Sequence, residues 1–283
     1  MIKFILKGVL IGISDIIPGV SGGTIAFLLG IYERLIYSIK NLNISFLFSN
    51  RKENWNRMDL GFLIPLGIGI IAAFGIGSFI IPYLLENHPA YIFSFFFGLI
   101  LGSIYLIKKR VKTIKLKYLG IGTIAFIFAF IFAGLETLSS SHSYIFIFFS
   151  GMAAIMAMLL PGISGSYVLL VLGQYKFMLE ALKGLKIFYI ISFILGALIG
   201  LILSSRIILY LLKRYHNLTI WALIGLMLGS LRVPFNNVVF VKILYPQLNF
   251  VWNLYSILLV GFFFLLGIII VVLIGKFDKN TLK

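Results

Sequence analysis

The pentapeptide Pro-Gly-Val-Ser-Gly at residues 18–22 interrupts one apolar run, and Pro-Gly-Ile-Ser-Gly at 161–165 interrupts another. They belong to a wider repeat. Gly8, Pro18, Gly19, Ser21, Gly22, Gly30 and Tyr32 recur as Gly151, Pro161, Gly162, Ser164, Gly165, Gly173 and Tyr175, all at one offset. Further on, Tyr83-Leu84-Leu85, Gly98 and Gly102-Ser103 recur as Tyr210-Leu211-Leu212, Gly225 and Gly229-Ser230 at a second constant offset, because the first half holds a longer polar loop. A chain written twice on one plan is expected to fold as two related halves, 1–143 and 144–283.

The solvent for those halves follows from composition. With 61% hydrophobic and 11% charged residues, most of the surface must face hydrocarbon, which makes the chain an all-α polytopic membrane protein. Six apolar stretches are expected to cross the bilayer as helices, at residues 61–85, 90–107, 118–135, 187–212, 218–235 and 252–275. The two regions that hold the pentapeptides, 4–38 and 144–183, are broken into arms whose shorter members reach only ~21 Å at ~1.5 Å per residue, against ~30 Å of hydrocarbon. They are expected to be re-entrant helical hairpins.

Each half then holds one hairpin and three spans. An odd number of crossings delivers the second half upside down, so the repeats are expected to have inverted topology. Basic residues give an independent check. With the N-terminus inside, 19 of the 24 lysines and arginines fall on the cytoplasmic side and 5 on the outer side, which favours both termini inside. The formal charge of +16 therefore points to anionic membrane lipids rather than to nucleic acid. The absence of cysteine excludes thiol catalysis and cysteine-metal sites, and His88, His142 and His216 have no ligand spacing, so neither metal nor cofactor is expected. Asp15 and Pro18 interrupt the first apolar stretch, and no removable leader is expected.

The loops carry the chemistry. Pro18 and Pro161 stop the first arms, and Gly19 and Gly162 allow a tight turn. Ser21, Gly22, Gly23 and Thr24 in one loop, and Ser164, Gly165 and Ser166 in the other, then open the second arms with hydroxyl and backbone N–H donors. Such a helix start attracts phosphate or carboxylate where water is scarce. Hairpins entering from opposite faces would bring the two starts together near the midplane as an anion site. The alternative is that these glycines only kink helices or let them pack closely.

Among ionisable groups, Asp15 stands three residues before Pro18, and its repeat counterpart is Met158, so the fold does not require a carboxylate there. It is a candidate carrier of a coupled proton or sodium ion, or else a local hydrogen-bond acceptor that holds the turn. Arg206 and Arg232 lie within spans rather than loops. Guanidinium suits phosphate, and a long side chain can also snorkel to head groups. The Lys108, Lys109, Arg110, Lys112, Lys115 and Lys117 run is read as a topology signal that also meets anionic lipid.

With these residues assembled, the chain resembles the polyprenyl-phosphate transporter family from end to end, most specifically over Gly12–Thr24 and again over Pro161–Ser166. The resemblance implies a bacterial plasma-membrane flippase that returns undecaprenyl phosphate from the outer to the inner leaflet for recycling of the envelope carrier lipid. Two other classes share features. Undecaprenyl-pyrophosphate phosphatases use a related Pro-Gly-x-Ser-Arg-Ser-Gly sequence, but position 165 is glycine here and neither hairpin offers paired glutamates. A transporter of small anions would need the same pocket without an opening to lipid.

Overall fold

The computed structural model describes residues 1–17, 20–42, 55–108, 111, 115–137 and 141–277; the side chains of residues 78 and 275–277 lie outside that description. Pro18, Gly19 and part of the 108–117 basic run fall outside it too. The described residues form helices and connections, with no strand among them.

In the first half, α1 (Ile2–Ile16), α2 (Gly22–Leu28) and α3 (Tyr32–Lys40) precede the long helices α4 (Leu60–Asn87), α5 (Pro89–Lys108) and α6 (Leu116–Phe132). The second half holds α7 (Tyr144–Leu159), α8 (Gly165–Val171), α9 (Tyr175–Lys183), α10 (Ile187–Arg214), α11 (His216–Ser230), α12 (Arg232–Val239), α13 (Val241–Leu244) and α14 (Leu254–Phe277). The repeat seen in the sequence survives as equal helices in equal order. The second arms α2 and α8 are both 7 residues, α3 and α9 both 9, and α4 and α10 both 28. Gly30 and Gly173, which recur at the same place, close α2 and α8 with left-handed φ of 67° and 68°, a conformation that any side chain would strain.

Five helices are long and apolar enough to cross a membrane, which makes this a multi-pass membrane protein. The sixth expected span is shorter than its apolar stretch. Helix α6 stops at Phe132 after 17 residues, about 25 Å at 1.5 Å per residue, because the chain turns at Ala133–Gly134. The span expected at 218–235 is one of the five, His216–Val239, and it carries a turn at Leu231 between α11 and α12, three residues before Pro234, which has no N–H to continue the helix ladder.

Close helix pairs are built on glycine. In α1, Gly8 and Gly12 face Leu66, Gly69 and Ile70 of α4; in α10, Gly196 and Gly200 face Phe148 and Met152 of α7. Gly98 and Gly102 of α5 meet Phe264 and Ile268 of α14, and Gly225 and Gly229 of α11 meet Gly122 and Phe126 of α6. Each is a Gly-x-x-x-Gly contact in which a Cβ would strike opposing backbone, the geometry by which small residues drive helix association in lipid. In all four pairs residue numbers rise together, so the partners run parallel. These are the most extensive helix contacts in the molecule, and two of them cross between halves: α5 pairs with α14, and α6 with α11.

The α1–α4 pairing has a further consequence. Ile16, at the end of α1, is level with Gly77, while α4 continues to Asn87. Helix α1 thus ends part-way along α4, and by Arg34 in α3 the chain is again beside Asp59, which precedes α4. The second half repeats this, with the Ser192 hydroxyl donating to the Tyr144 carbonyl at 2.6 Å near the start of both α7 and α10.

Candidate functional site

The two Pro-Gly-x-Ser-Gly loops touch. The backbone N–H of Gly162 donates to Thr24 Oγ1 at 2.9 Å, and the Ser21 hydroxyl donates to the Leu160 carbonyl at 3.2 Å. Tyr32, closing the first hairpin, reaches across to donate its hydroxyl to the Leu159 carbonyl at 2.9 Å. Ser21, Thr24, Ser164 and Tyr32 are buried. Gly23 packs so close to the Met158 and Leu159 carbonyls that a Cβ would lie 3.0 Å and 3.3 Å from them. Gly162 sits at φ +92° against the Leu226–Met227 backbone of α11. Residues 138 or more apart in sequence thus meet at one point, as the duplicated loops imply.

The two helix starts are occupied differently. Asp15 Oδ1 accepts from the Gly22 N–H at 2.7 Å, so a carboxylate already caps α2. Its other oxygen is buried and has no hydrogen-bond partner among the described residues. A Cβ on Gly22 would lie 2.6 Å from Asp15 Oδ1, so glycine here is what admits the carboxylate. At α8, where Met158 replaces Asp15, no side chain caps the helix; the Ser164 and Ser166 hydroxyls bond to each other at 2.8 Å. Both helices have only two turns, so their capacity for an anion lies in individual N–H and hydroxyl donors rather than in a long macrodipole.

Beside α8, Gly162, Ser164, Tyr167 and Ser230 line a space of about 10 Å³, the size of one water. A phosphate does not fit there while the loops are joined. Next to it lies a cavity of about 470 Å³ lined by Phe97, Phe126, Phe130, Leu228, Phe235 and Phe240, with Arg232 and Asn236 as its polar groups. Arg232 is turned across to the end of α6. Its Nη1 donates to the Phe130 carbonyl at 2.8 Å, and its guanidinium lies 4.6 Å from the centre of the Phe130 ring. It abuts Gly134, where a Cβ would collide with it. No carboxylate lines this cavity among the described residues.

The other expected cation is elsewhere: Arg206 is exposed on α10, and no hydrogen bond joins it to either loop among the described residues. Tyr32 and Tyr175 marked the repeat, but the sequence carried no sign that Tyr32 bridges the loops. Asn236 escaped notice, although its place one helical turn beyond Arg232 was the available signal. Lys7, counted as an interfacial charge, is buried and donates to the Leu29 carbonyl at 2.7 Å.

The base of the first hairpin is pinned on its own side. Arg34 grips both oxygens of Asp59 at 2.6 and 2.9 Å, just ahead of α4, and lies over Phe4 and Phe62. The corresponding positions of the second half hold Phe177 and Lys186, which make a looser cation–π contact at 5.4 Å. Helix α3 also packs on α10, whereas α9 makes at most slight contact with α4. Tyr32 is 2% exposed and Tyr175 38%. The two halves share one plan but are docked unequally.

Comparison with known proteins places this architecture. Residues 11–245 match the family model described as undecaprenyl phosphate translocase-like. A polyprenyl-phosphate transporter of Vibrio cholerae is 41% identical over 235 residues, covering 80% of this chain and 75% of its own. A polyprenyl-phosphate transporter of Staphylococcus aureus is 39% identical over 252 residues, 82% of this chain and 85% of its own. No solved structure matches. Both relatives are transporters rather than enzymes, and the chain belongs to the undecaprenyl phosphate translocase-like family.

Proposed function

We propose that the chain moves polyprenyl phosphate, undecaprenyl phosphate in particular, from the outer to the inner leaflet of a bacterial plasma membrane by alternating access around the joined loops. The observation that carries this reading is the contact between two duplicated loops, rich in anion donors, in a molecule that also holds an aromatic cavity whose only cation among the described residues is Arg232. A lipid phosphate needs both parts: donors for the head group, and an apolar opening that lets the chain stay in hydrocarbon.

Several features support inverted repeats with re-entrant hairpins. The parallel pairing of α1 with α4 returns the chain to the side on which it began. Single residues, His88 and Tyr215, separate α4 from α5 and α10 from α11, and so short a link reverses direction. Parallel α5–α14 and α6–α11 pairs then require corresponding helices of the two halves to run oppositely. With both termini cytoplasmic, Arg232 and the loosely held α9 lie towards the outer side, and the firmly docked α3 towards the inner side. The phosphate is first met by Arg232 and Asn236, passes to Ser21, Gly22, Gly23, Thr24, Ser164, Gly165 and Ser166 when the loops part, and leaves near Arg206. The turn at Pro161–Gly162 is a pivot; its repeat counterpart, Pro18–Gly19, lies outside the described residues.

Unequal docking supports alternating access. In an inverted pair the opposite state is obtained by exchanging the roles of the halves, so that Tyr175 becomes the bridging tyrosine and Tyr32 is released. The Asp15 carboxyl group already occupies the α2 start, so a phosphate arriving there requires that group to be held neutral, paired with a cation or displaced. A proton or sodium ion does this, which gives the coupling step. Anionic lipids meet the inner basic segments.

The test is a proteoliposome assay that follows undecaprenyl phosphate between leaflets, with soluble phosphate and carboxylates as competitors. Protein-dependent movement that soluble anions fail to inhibit supports the proposal. No movement above empty vesicles, or uptake of a soluble anion instead, overturns it. Phosphate release from undecaprenyl pyrophosphate would revive the enzymatic alternative.

A further inference from the structure

The cavity at Arg232 does not end at its own walls. A second cavity, of about 350 Å³, is lined by Leu119, Gly122, Thr123, Trp221 and Gly225, and shares Phe126 and Leu228 with the first. The two lie end to end along one helix pair, α6 and α11. From Arg232, the first residue of α12, the lining continues down α11 in the order Leu228, Gly225, Trp221; down α6 it falls in the order Phe130, Phe126, Gly122, Leu119. Arg232 to Trp221 is 11 residues by number, about 16 Å along a helix at 1.5 Å per residue.

We propose that this furrow between α6 and α11 is a binding track for the first isoprene units of a single-chain polyprenyl phosphate, with its phosphate held by Arg232 and Asn236. The inference rests on the lipid-phosphate reading above and deepens it by assigning the tail a protein site. Three observations carry it. Among the described residues the furrow's one charged group, Arg232, lies towards one end, which suits an amphiphile with an anionic head and an uncharged body. Apart from Arg232, Asn236 and Thr123 the lining is aromatic, aliphatic or glycine, and its floor is the close contact of Gly122 with Gly225, which leaves depth where side chains would otherwise fill it. The furrow follows one helix pair in single file and therefore suits one chain better than the paired chains of a diacyl lipid. With Arg232 on the outer side, the head lies near the outer interface and the tail points into the bilayer, the orientation a lipid already has before it moves.

Leu228 and Phe126 are shared by the two cavities, and Leu228 is 37% exposed on α11. Leu228→Trp fills the junction while leaving Arg232, Asn236 and both loops unsubstituted. Full-length protein in nanodiscs is titrated with undecaprenyl phosphate, with dimethylallyl phosphate, which has a single isoprene unit, and with dioleoyl phosphatidate. Native protein is expected to bind undecaprenyl phosphate at least tenfold more tightly than either of the others. Leu228→Trp is expected to lose most of that tenfold preference while its affinity for dimethylallyl phosphate stays within about twofold. An unchanged preference in Leu228→Trp, or equal binding of the phosphatidate by native protein, overturns the track.

A second measurement does not depend on a variant folding. Undecaprenyl phosphate carrying a diazirine on its second isoprene unit is cross-linked to native protein and the modified peptides are identified. Labels in 119–126 and 221–228 that unlabelled undecaprenyl phosphate displaces are expected. Displaceable labels confined to other helices overturn the track yet leave transport intact. The absence of any displaceable label sinks the lipid-phosphate reading as well.

Discussion

Thr24→Val tests whether the joined loops form a closed gate. Valine keeps the shape of threonine but removes the Oγ1 that accepts the Gly162 N–H at 2.9 Å. Gly162 is partly buried and pressed against the α11 backbone, so in the joined state its N–H is left without its protein partner. Leaving such a donor unpaired costs about 1–3 kcal/mol. Once the loops part, water or phosphate satisfies it, so the penalty falls on the joined state alone. At about 1.4 kcal/mol per factor of ten, the parted population should rise roughly 5- to 150-fold. Ser164 is 5% exposed behind this contact, so a cysteine there reports opening. In a Ser164→Cys background, the labelling rate with a membrane-impermeant maleimide should rise by that factor when Thr24→Val is added. Labelling unchanged within about twofold would mean that the loop contact is not what controls access, and the gate argument would fail.

Four further expectations follow from the same geometry. Tyr32→Phe removes a hydroxyl donated to the Leu159 carbonyl, about 0.5–1.5 kcal/mol, and should open the same site less than Thr24→Val does; the pair should combine non-additively because they share one interface. Asp15→Asn should flatten the pH or sodium dependence of transport, and Gly22→Ala, whose Cβ would displace the carboxylate, should have a similar effect; wild-type ion dependence in both would exclude Asp15 as the coupling group. Hydrogen bonding to Arg34 holds the Asp59 carboxyl below the ordinary carboxylate range, so its share of stability is present at neutral pH and lost as pH falls below 3.8 through that lowered value. For a partly exposed pair that share is about 0–1 kcal/mol, measured as the gap in thermal unfolding between native protein and Asp59→Asn, which should close in strong acid. Gly225→Val would drive a side chain into the Gly122 backbone and should lower thermal stability in detergent by about 1–3 kcal/mol or prevent folding, while Gly120→Val, where nothing lies within 4 Å, should be neutral.

Much of the fold was legible because it was written twice. The constant offsets of Gly30 and Gly173, and of the two Ser-Gly pairs, fixed equal second arms and turns of the same hand in both halves. The meeting of the loops was also expected from their matching places in the repeat, and the Gly162 N–H on Thr24 joins them. Helix partners were harder. Hydropathy identifies a span but says nothing of its neighbour, because lipid is as apolar as any helix face. Only the spacing of Gly98 with Gly102, and of Gly225 with Gly229, signalled close contacts, and it did not say that those contacts would cross between the halves.

The contact between the loops was expected and its partners were not, for the same reason. Residue type marked Ser21, Thr24, Ser164 and Arg232, but hydrogen-bond partners depend on tertiary placement. Nothing in the sequence said that Asp15 would take the Gly22 N–H, or that Arg232 would lie across the end of α6 while Arg206 stayed exposed. The furrow is a property of two helices with glycines at their contact, and no single segment contains it.

The central claim concerns where the phosphate goes, and the most direct measurement is an electron cryomicroscopy map of the full chain in a nanodisc with undecaprenyl phosphate. The account predicts density for a phosphate either against Arg232 and Asn236 or between residues 21–24 and 164–166, with the isoprenoid chain leaving along α6 and α11. A phosphate bound anywhere else on the molecule, with the two loops still hydrogen-bonded and empty, would contradict it.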